Sequence, residues 1–86
     1  MEGEPVAEQV RAEMVANVLK VLVSAGDDVA AGDAVVILES MKMEIPVLVE
    51  APGRVWAVDV QEGDVVQEGD VMVELLAPQD SEPPLG

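Results

Sequence analysis

The side chain best suited to covalent chemistry in this sequence is the amine of Lys42, which lies in the segment Glu-Ser-Met-Lys-Met-Glu at residues 39–44. Only one other lysine, Lys20, occurs among the 86 residues. A chain with 18 acidic and 4 basic residues, and a formal net charge of −14, gains little solubility from one additional cation. The amine of Lys42 is therefore a candidate nucleophile or attachment point.

The composition excludes several other kinds of chemistry. Cysteine and histidine are absent, which excludes thiol nucleophiles, disulfides, His-containing metal sites and Ser-His-Asp triads. Nucleic acids and anionic membrane surfaces both attract basic proteins, so the acidity argues against either partner. The N-terminus is acidic where a signal peptide is basic and then apolar, and no apolar run is long enough to span a membrane. We therefore expect a cytoplasmic protein.

An internal repeat organises the chain. A shift of 37 residues aligns residues 16–39 with residues 53–76 and gives 10 identities in 24 positions. The identities include two Gly-Asp pairs in each copy, where glycine allows the backbone to reverse. Eighty-six residues accommodate one small domain. The repeat therefore predicts a single domain made of two quasi-twofold halves.

Composition and hydrophobic period predict an all-β fold. The chain has 18 valines, no Phe or Tyr, and Trp56 as its sole aromatic residue, and β-branched side chains pack well on pleated sheets. Alternation predicts that the following residues face the core: Trp56, Val58, Val60, Val71, Val73 and Leu75 in the second copy, and Leu19, Val21 and Val23 in the first. Residues 1–7 and 78–86 have little apolar content, so we expect flexible tails around a domain of residues 8–77.

The repeat places Lys42 at the crossover between the two halves. It follows the last strand of the first copy and precedes an apolar segment at residues 45–49, so we expect it at the tip of a β-hairpin. In a true twofold arrangement the equivalent tip of the second half lies near residues 77–78, where the domain ends. The lysine is therefore expected at the end of the domain opposite the tails, where other proteins can reach it.

Met41 and Met43 are unusual residues for a hairpin tip. Turns favour Gly, Asn, Asp, Ser and Pro, and exposed methionine leaves apolar surface in water unless a partner covers it. Methionine offers a flexible, polarizable contact surface for recognition. Two interpretations stay open for the pair, partner recognition and covering of the core, and the alternative for Lys42 is an ordinary solvated turn residue.

Residues 39–44 resemble the attachment motif of biotinyl domains, the biotin carboxyl carrier family, in which the lysine between two methionines carries biotin. The resemblance covers roughly residues 10–76: residues 10–16 are similar to the family's first strand, the Gly-Asp pairs at 26–27 and 32–33 match its turns, and residues 51–53 match the segment after the hairpin. The chain most resembles small, free-standing biotin/lipoyl attachment proteins. This resemblance implies a flattened β-barrel or sandwich of two quasi-twofold four-stranded sheets, with Trp56 and valines between them.

Two departures from the family pattern concern recognition. Ser40 stands where the family usually has alanine, a small-for-small change that we expect to leave ligase recognition intact. Some bacterial members carry a protruding thumb insertion, for which residues 29–33 leave no room. Partner contacts made through a thumb are therefore not expected.

The resemblance implies that a biotin protein ligase attaches biotin to Lys42 through an activated biotinyl-adenylate. Met41, Met43, Glu39 and Glu44 are then ligase-recognition residues, although the two glutamates are equally explained as a solvated acidic surface. The implied role is that of a carrier, not an enzyme, which moves carboxyl groups between the active sites of a biotin carboxylase and a carboxyltransferase. We expect no catalytic residue, no metal site and a monomeric isolated domain.

Three alternatives remain. A lipoyl domain shares the fold and the hairpin lysine but typically has an Asp-Lys-Ala-like context, so the methionines favour biotin. An unmodified acidic β interaction domain explains the repeat and the acidity but leaves Met-Lys-Met unexplained. Asp27, Asp28 and Asp33 could supply oxygen ligands to a hard cation, but their spacing is not that of an EF-hand and aspartate beside glycine is typical of turns.

Overall fold

The computed structural model describes residues 6–77, which form two antiparallel β-sheets. In chain order the strands are β1 (Val6–Arg11), β2 (Ala16–Val21), β3 (Asp28–Val29), β4 (Ala34–Ser40), β5 (Met43–Leu48), β6 (Gly53–Val58), β7 (Val65–Val66) and β8 (Val71–Leu76). The two four-stranded sheets have the orders β1-β8-β6-β3 and β5-β4-β2-β7. The predicted all-β sandwich is confirmed. Within residues 6–77 no helix is long and apolar enough to cross a membrane.

The predicted quasi-twofold relation is visible in the hydrogen bonds between the halves. The N–H of Gly26 donates to the carbonyl of Val55 at 2.8 Å, and the N–H of Gly63 donates to the carbonyl of Val18 at the same distance. Each donor and each acceptor is 37 residues from its counterpart. In the first half the chain leaves β2 and its backbone then hydrogen-bonds to β6 of the other sheet. In the second half the chain leaves β6 and hydrogen-bonds to β2 in the same way. The two halves are therefore interlocked.

The four Gly-Asp turns share one construction. Their glycines have φ between +91° and +97°, a backbone conformation that residues with side chains disfavour. The carboxylate of the aspartate that follows each glycine accepts a hydrogen bond from the backbone N–H three residues before that aspartate. The pairs are Asp27 with Ser24, Asp33 with Ala30, Asp64 with Gln61 and Asp70 with Gln67, at 2.8–2.9 Å. Asp27 and Asp33 thus take part in turn chemistry. Within residues 6–77 no group of three or more acidic, His or Cys side chains could hold a metal ion.

Valine and leucine dominate the core between the sheets. The largest fully buried side chains are Leu38, Met72, Leu75, Val18, Val35, Val36, Val49, Val55, Val66 and Val73. The prediction that Trp56 lies in this core is wrong, because its side chain is 51% exposed. The prediction for Leu19 is also wrong, because that side chain is 36% exposed.

Two equivalent β-bulges explain both errors. The register shifts between Val18 and Lys20 where β2 pairs with β4, and between Val55 and Ala57 where β6 pairs with β8. The extra residues are Leu19 and Trp56, and an extra residue displaces the in-out alternation of a strand by one position. Val18 and Val55 are consequently buried in their place.

The remaining predicted core residues lie nearer to their expected positions. Val60, Val73 and Leu75 are buried, and Val21, Val23, Val58 and Val71 are half-buried. Met72 is fully buried although alternation places it outside. A register shift explains this too, since Val10 and Arg11 of β1 pair with Val73 and Val71, which leaves Met72 as the extra residue.

The N-terminal part of the domain differs from the expectation. β1 begins at Val6, two residues inside the predicted tail of residues 1–7. Residues 10–16, expected as one strand, contain the end of β1, a bend at residues 13–14 and the start of β2. The rest of the predicted tails, residues 1–5 and 78–86, lies outside the described residues. The short turn at residues 30–33 between β3 and β4 agrees with the predicted lack of a thumb.

We predict that Gly53→Ala destabilises the domain. A Cβ at this position would come within 2.5 Å of the backbone oxygen of Leu76, so β6 and β8 must shift apart. We expect a loss of about 1–3 kcal/mol in the free energy of unfolding, as for other overpacked positions, measured by urea denaturation. Gly63→Asn is the control, because that turn has open space around it and a φ of +96°, which asparagine tolerates. Equal losses in both variants would contradict the close approach at Gly53.

Candidate functional site

Lys42 lies at the tip of the β4–β5 hairpin, as predicted. Ser40 pairs with Met43, which leaves Met41 and Lys42 as the two turn residues. Their φ angles are 56° and 65°, and positive φ at both central residues is the requirement of a type I′ hairpin turn. The register of the hairpin therefore forces two ordinary side chains into the left-handed region.

Met41 and Lys42 are poorly suited to this backbone conformation. Type I′ turns favour Asn-Gly and Asp-Gly, and the left-handed conformation costs other L-residues about 1–2 kcal/mol each. The paired strands hold the turn in place, with six residue pairs between β4 and β5. Turn propensity therefore does not explain why Met41 and Lys42 occupy these positions. A requirement other than turn formation must explain them.

The side chains around the lysine point into solvent. Met41 is 89% exposed and Met43 is 63% exposed, so the interpretation that they cover the core is wrong. Lys42 and Glu44 are also exposed, and Glu39 is half-buried. Within residues 6–77 the Lys42 amine has no ion pair and no hydrogen bond. The amine is accessible to a partner from outside the domain.

The Lys42 turn and the end of β8 lie at opposite ends of the sandwich. β2 starts beside the turn, since Asn17 pairs with Glu39, and the chain then leads away from it. Nine residues later Gly26 donates to the carbonyl of Val55, and Val55 pairs with Leu75 near the end of β8. This arrangement agrees with the prediction that the lysine lies opposite the end of the domain.

A row of side chains crosses the outer face of the sheet directly behind the turn. Successive cross-strand partners on β5, β4, β2 and β7 form it: Glu44, Glu39, Asn17 and Val65. Directly opposed residues of an antiparallel pair share one face. The next pair, Ala16 and Val66, is buried and faces the core. The four residues, here called the outer row, therefore face solvent.

A shallow groove lies between the outer row and the lysine. Its volume is about 370 Å³, and it is lined by Val15, Ala16, Asn17, Glu39, Ser40, Met41, Lys42 and Val65. The sequence prediction identified the turn and Glu39 but missed Val15, Asn17 and Val65. Only the pairing of β2 with β7 brings Val65 to this place.

The clearest pKa shift lies on the other sheet, at Glu74 of β8. A side-chain hydrogen bond with Asp59 is the main cause, and it raises the pKa of Glu74 above its ordinary value of 4.5. Desolvation and the negative charge of Asp59 raise it further. β8 belongs to the sheet without Lys42, so this pair is not part of the candidate site.

Comparison with known proteins gives the class of the chain. Residues 5–75 match the biotin/lipoyl family model described as "Biotin-requiring enzyme". The "Biotinylated protein TB7.3 homolog" of Mycobacterium leprae is 61% identical over 61 residues, which cover 71% of this chain and 86% of that protein. The "Biotin/lipoyl attachment protein" of Bacillus subtilis is 52% identical over 63 residues, which cover 73% of this chain and 86% of that protein.

Solved structures share the fold. A single-chain, multi-domain long-chain acyl-CoA carboxylase superposes with a TM-score of 0.80 at 30% identity, over 96% of this chain and 8% of that chain. The lipoyl domain of the 2-oxoglutarate dehydrogenase complex from Azotobacter vinelandii has a TM-score of 0.65 at 26% identity, over 74% of this chain and 81% of that domain. The family model and these relatives place the quasi-twofold β-sandwich among the cofactor-attachment domains. The chain belongs to the biotin/lipoyl family, as its resemblance predicted.

We predict that Met41→Asn stabilises the domain, because asparagine accepts the left-handed conformation better than methionine. The expected gain is about 1 kcal/mol in the free energy of unfolding, measured by urea denaturation. Met43→Asn is the matched control, since Met43 lies in β5, where asparagine is disfavoured. A gain for Met43→Asn, or none for Met41→Asn, would contradict the analysis of the turn.

We predict that Glu74→Gln stabilises the domain at neutral pH. Because the pKa of Glu74 is raised on folding, the folded state binds more protons than the unfolded state between the two pKa values. The contribution of this group is therefore fully present below the unfolded pKa and is lost as the pH rises through the folded pKa. The advantage of Glu74→Gln over wild type should therefore shrink as the pH falls from the raised folded pKa toward the ordinary value of 4.5, and should stay small at lower pH.

Urea denaturation at pH 7 and at pH 4 measures this difference. Glu68→Gln is the control for the general effect of removing one negative charge from an acidic protein. If Glu74→Gln and Glu68→Gln change stability with the same pH dependence, the coupling between Asp59 and Glu74 is not responsible.

Proposed function

We propose that the chain is a biotin carrier in which the Nζ atom of Lys42 forms the amide to biotin. One observation carries the proposal: a two-residue turn with positive φ at both positions is occupied by Met-Lys, with a further exposed methionine after it. The turn itself favours other residues. The chain belongs to the biotin/lipoyl family. This membership supports the idea that Met41 and Lys42 occupy the turn because a partner recognises the lysine.

The attachment step needs an external catalyst. A lysine amine is protonated at neutral pH and becomes a nucleophile only after losing that proton. Within residues 6–77 no side chain is hydrogen-bonded to the Lys42 amine in a position to act as the base. This supports a biotin protein ligase as the source of the base. The deprotonated Nζ attacks the carbonyl carbon of a biotinyl-adenylate, a C–N bond forms, the C–O bond to the phosphate breaks and AMP leaves. The formal charge of the chain changes from −14 to −15.

The four predicted recognition residues lie together at the tip of the β4–β5 hairpin. Met41 and Met43 flank the lysine in the chain, and Glu39 and Glu44 are directly opposed partners immediately behind the turn. Like charges in directly opposed positions destabilise a sheet, so this pair is retained at a cost to the isolated domain. We propose that the ligase covers both methionines and places basic groups against the two glutamates.

The carrier role follows from where the lysine is held. Bound biotin supplies the carboxyl-transfer chemistry, and the protein supplies position. The turn projects from two sheets that share one core, and the body is strongly acidic, which discourages nonspecific association with other acidic surfaces. The likeness to an acyl-CoA carboxylase supports a biotin carboxylase and a carboxyltransferase as partners. The cytoplasmic location stays a prediction.

The proposal predicts that only Lys42 is modified. We expect coexpression with a biotin protein ligase to give wild type and Lys20→Arg the mass of one biotin amide and binding to streptavidin. Lys42→Arg should show neither. Lys20 is the matched control because it is the other lysine of the chain and is also exposed.

Two outcomes would reject this assignment. One is an unmodified wild type in cells where the same ligase labels a known carrier, and the other is biotin on Lys42→Arg. A parallel expression with a lipoate ligase tests the lipoyl alternative. The mass of a lipoyl amide on wild type, without a biotin mass in the first experiment, would select that alternative.

A further inference from the structure

The two ends of the sandwich differ at positions that the repeat makes equivalent. At the end away from Lys42, Arg54 and Asp28 are cross-strand partners, and the Arg54 Nε atom donates to Asp28 Oδ1 at 3.0 Å. The equivalent positions beside Lys42 are Asn17 and Val65, which are also cross-strand partners. The ion pair at one end is therefore replaced, beside the lysine, by an amide and an apolar side chain.

The apolar lining of the groove beside Lys42 is not explained by the core. Val15 and Val65 are each 62% exposed, and both line the groove together with Lys42. Their neighbours Ala16 and Val66 are the residues that fill the interior. Leaving two valines in water forgoes the free energy of burying them. An apolar group lying in the groove would recover part of it.

The polar lining of the groove is unused within the described chain. Asn17, Glu39 and Ser40 line it, and within residues 6–77 none of their side chains makes a hydrogen bond. They offer an amide with donors and an acceptor, a carboxylate acceptor and a hydroxyl. Biotin has the complementary combination, a cyclic urea with N–H donors and a carbonyl acceptor, fused to an apolar thioether ring.

We propose that this groove is a resting site for the biotin ring carried by Lys42, with the ring against Val15 and Val65 and the urea facing Asn17 and Glu39. This inference rests on the proposed attachment at Lys42. Because Lys42 itself lines the groove, the tether gives the ring a high effective concentration there, and a weak contact suffices to populate the docked state. A weak contact also lets the ring leave the groove for an active site.

NMR spectroscopy tests the resting site directly. We compare the unmodified protein, the biotinylated protein and a form with acetyl-lysine at position 42, which loses the same charge but has no ring. The methyl signals of Val15 and Val65 and the side-chain amide signal of Asn17 should shift in the biotinylated form and stay unchanged in the acetylated form. Shifts confined to the turn at residues 41–42 in both modified forms would overturn the proposal.

The double variant Asn17→Arg with Val65→Asp supplies the matched control. It copies the Arg54–Asp28 pair, which the fold accommodates at the equivalent position. Intact mass should show that the variant is still biotinylated, while the biotin-dependent shift of Val15 is lost. A Val15 shift as large as in wild type would overturn the resting site.

The same samples separate the two proposals. Wild type without a biotin mass would reject the attachment site, and the resting site with it. Complete biotinylation of wild type with no shift at Val15, Val65 or Asn17 would reject the resting site alone.

Discussion

Backbone hydrogen bonds that cross between the two sheets hold the rest of the structure in place. Val55 accepts from Gly26 and donates to Asp27, and the repeat makes the same pair of bonds at Val18 with Gly63 and Asp64. Val18 and Val55 are also fully buried. Each half of the chain is thus completed by the other, since its Gly-Asp turn also hydrogen-bonds to a core strand of the opposite sheet.

This interlock makes an unfavourable turn conformation at Met41 and Lys42 tolerable. The turn of the β4–β5 hairpin is exposed, and its two residues adopt a backbone conformation that their side chains disfavour. β4 is an inner strand, paired with β2 as well as β5, and it contributes Val35, Val36 and Leu38 to the buried core. The stability needed to hold Met41 and Lys42 in place therefore comes from the body of the domain. The turn sequence therefore need not be the one that a type I′ turn favours.

Much of this arrangement could be predicted from the sequence, because its signals are local. The Gly-Asp pairs marked the turns, the 37-residue repeat marked the two halves, and the position of Lys42 between them indicated a hairpin tip. The bulges could not be predicted by alternation, because an extra residue in one strand leaves two successive residues on the same face. Trp56 and Leu19 were misplaced for this reason, and their equivalence under the repeat shows one structural cause for both errors.

The groove beside Lys42 depends on tertiary structure in a different way. Asn17 and Val65 are 48 residues apart and meet only because β7 pairs with the start of β2. Their repeat equivalents, Arg54 and Asp28, have the ordinary solution for two exposed cross-strand neighbours, an ion pair. Since both pairs are cross-strand partners in equivalent strand pairings, the difference between them lies in the side chains. Without an ion pair, the end beside the lysine leaves an amide and an apolar side chain exposed in the groove that Lys42 also lines.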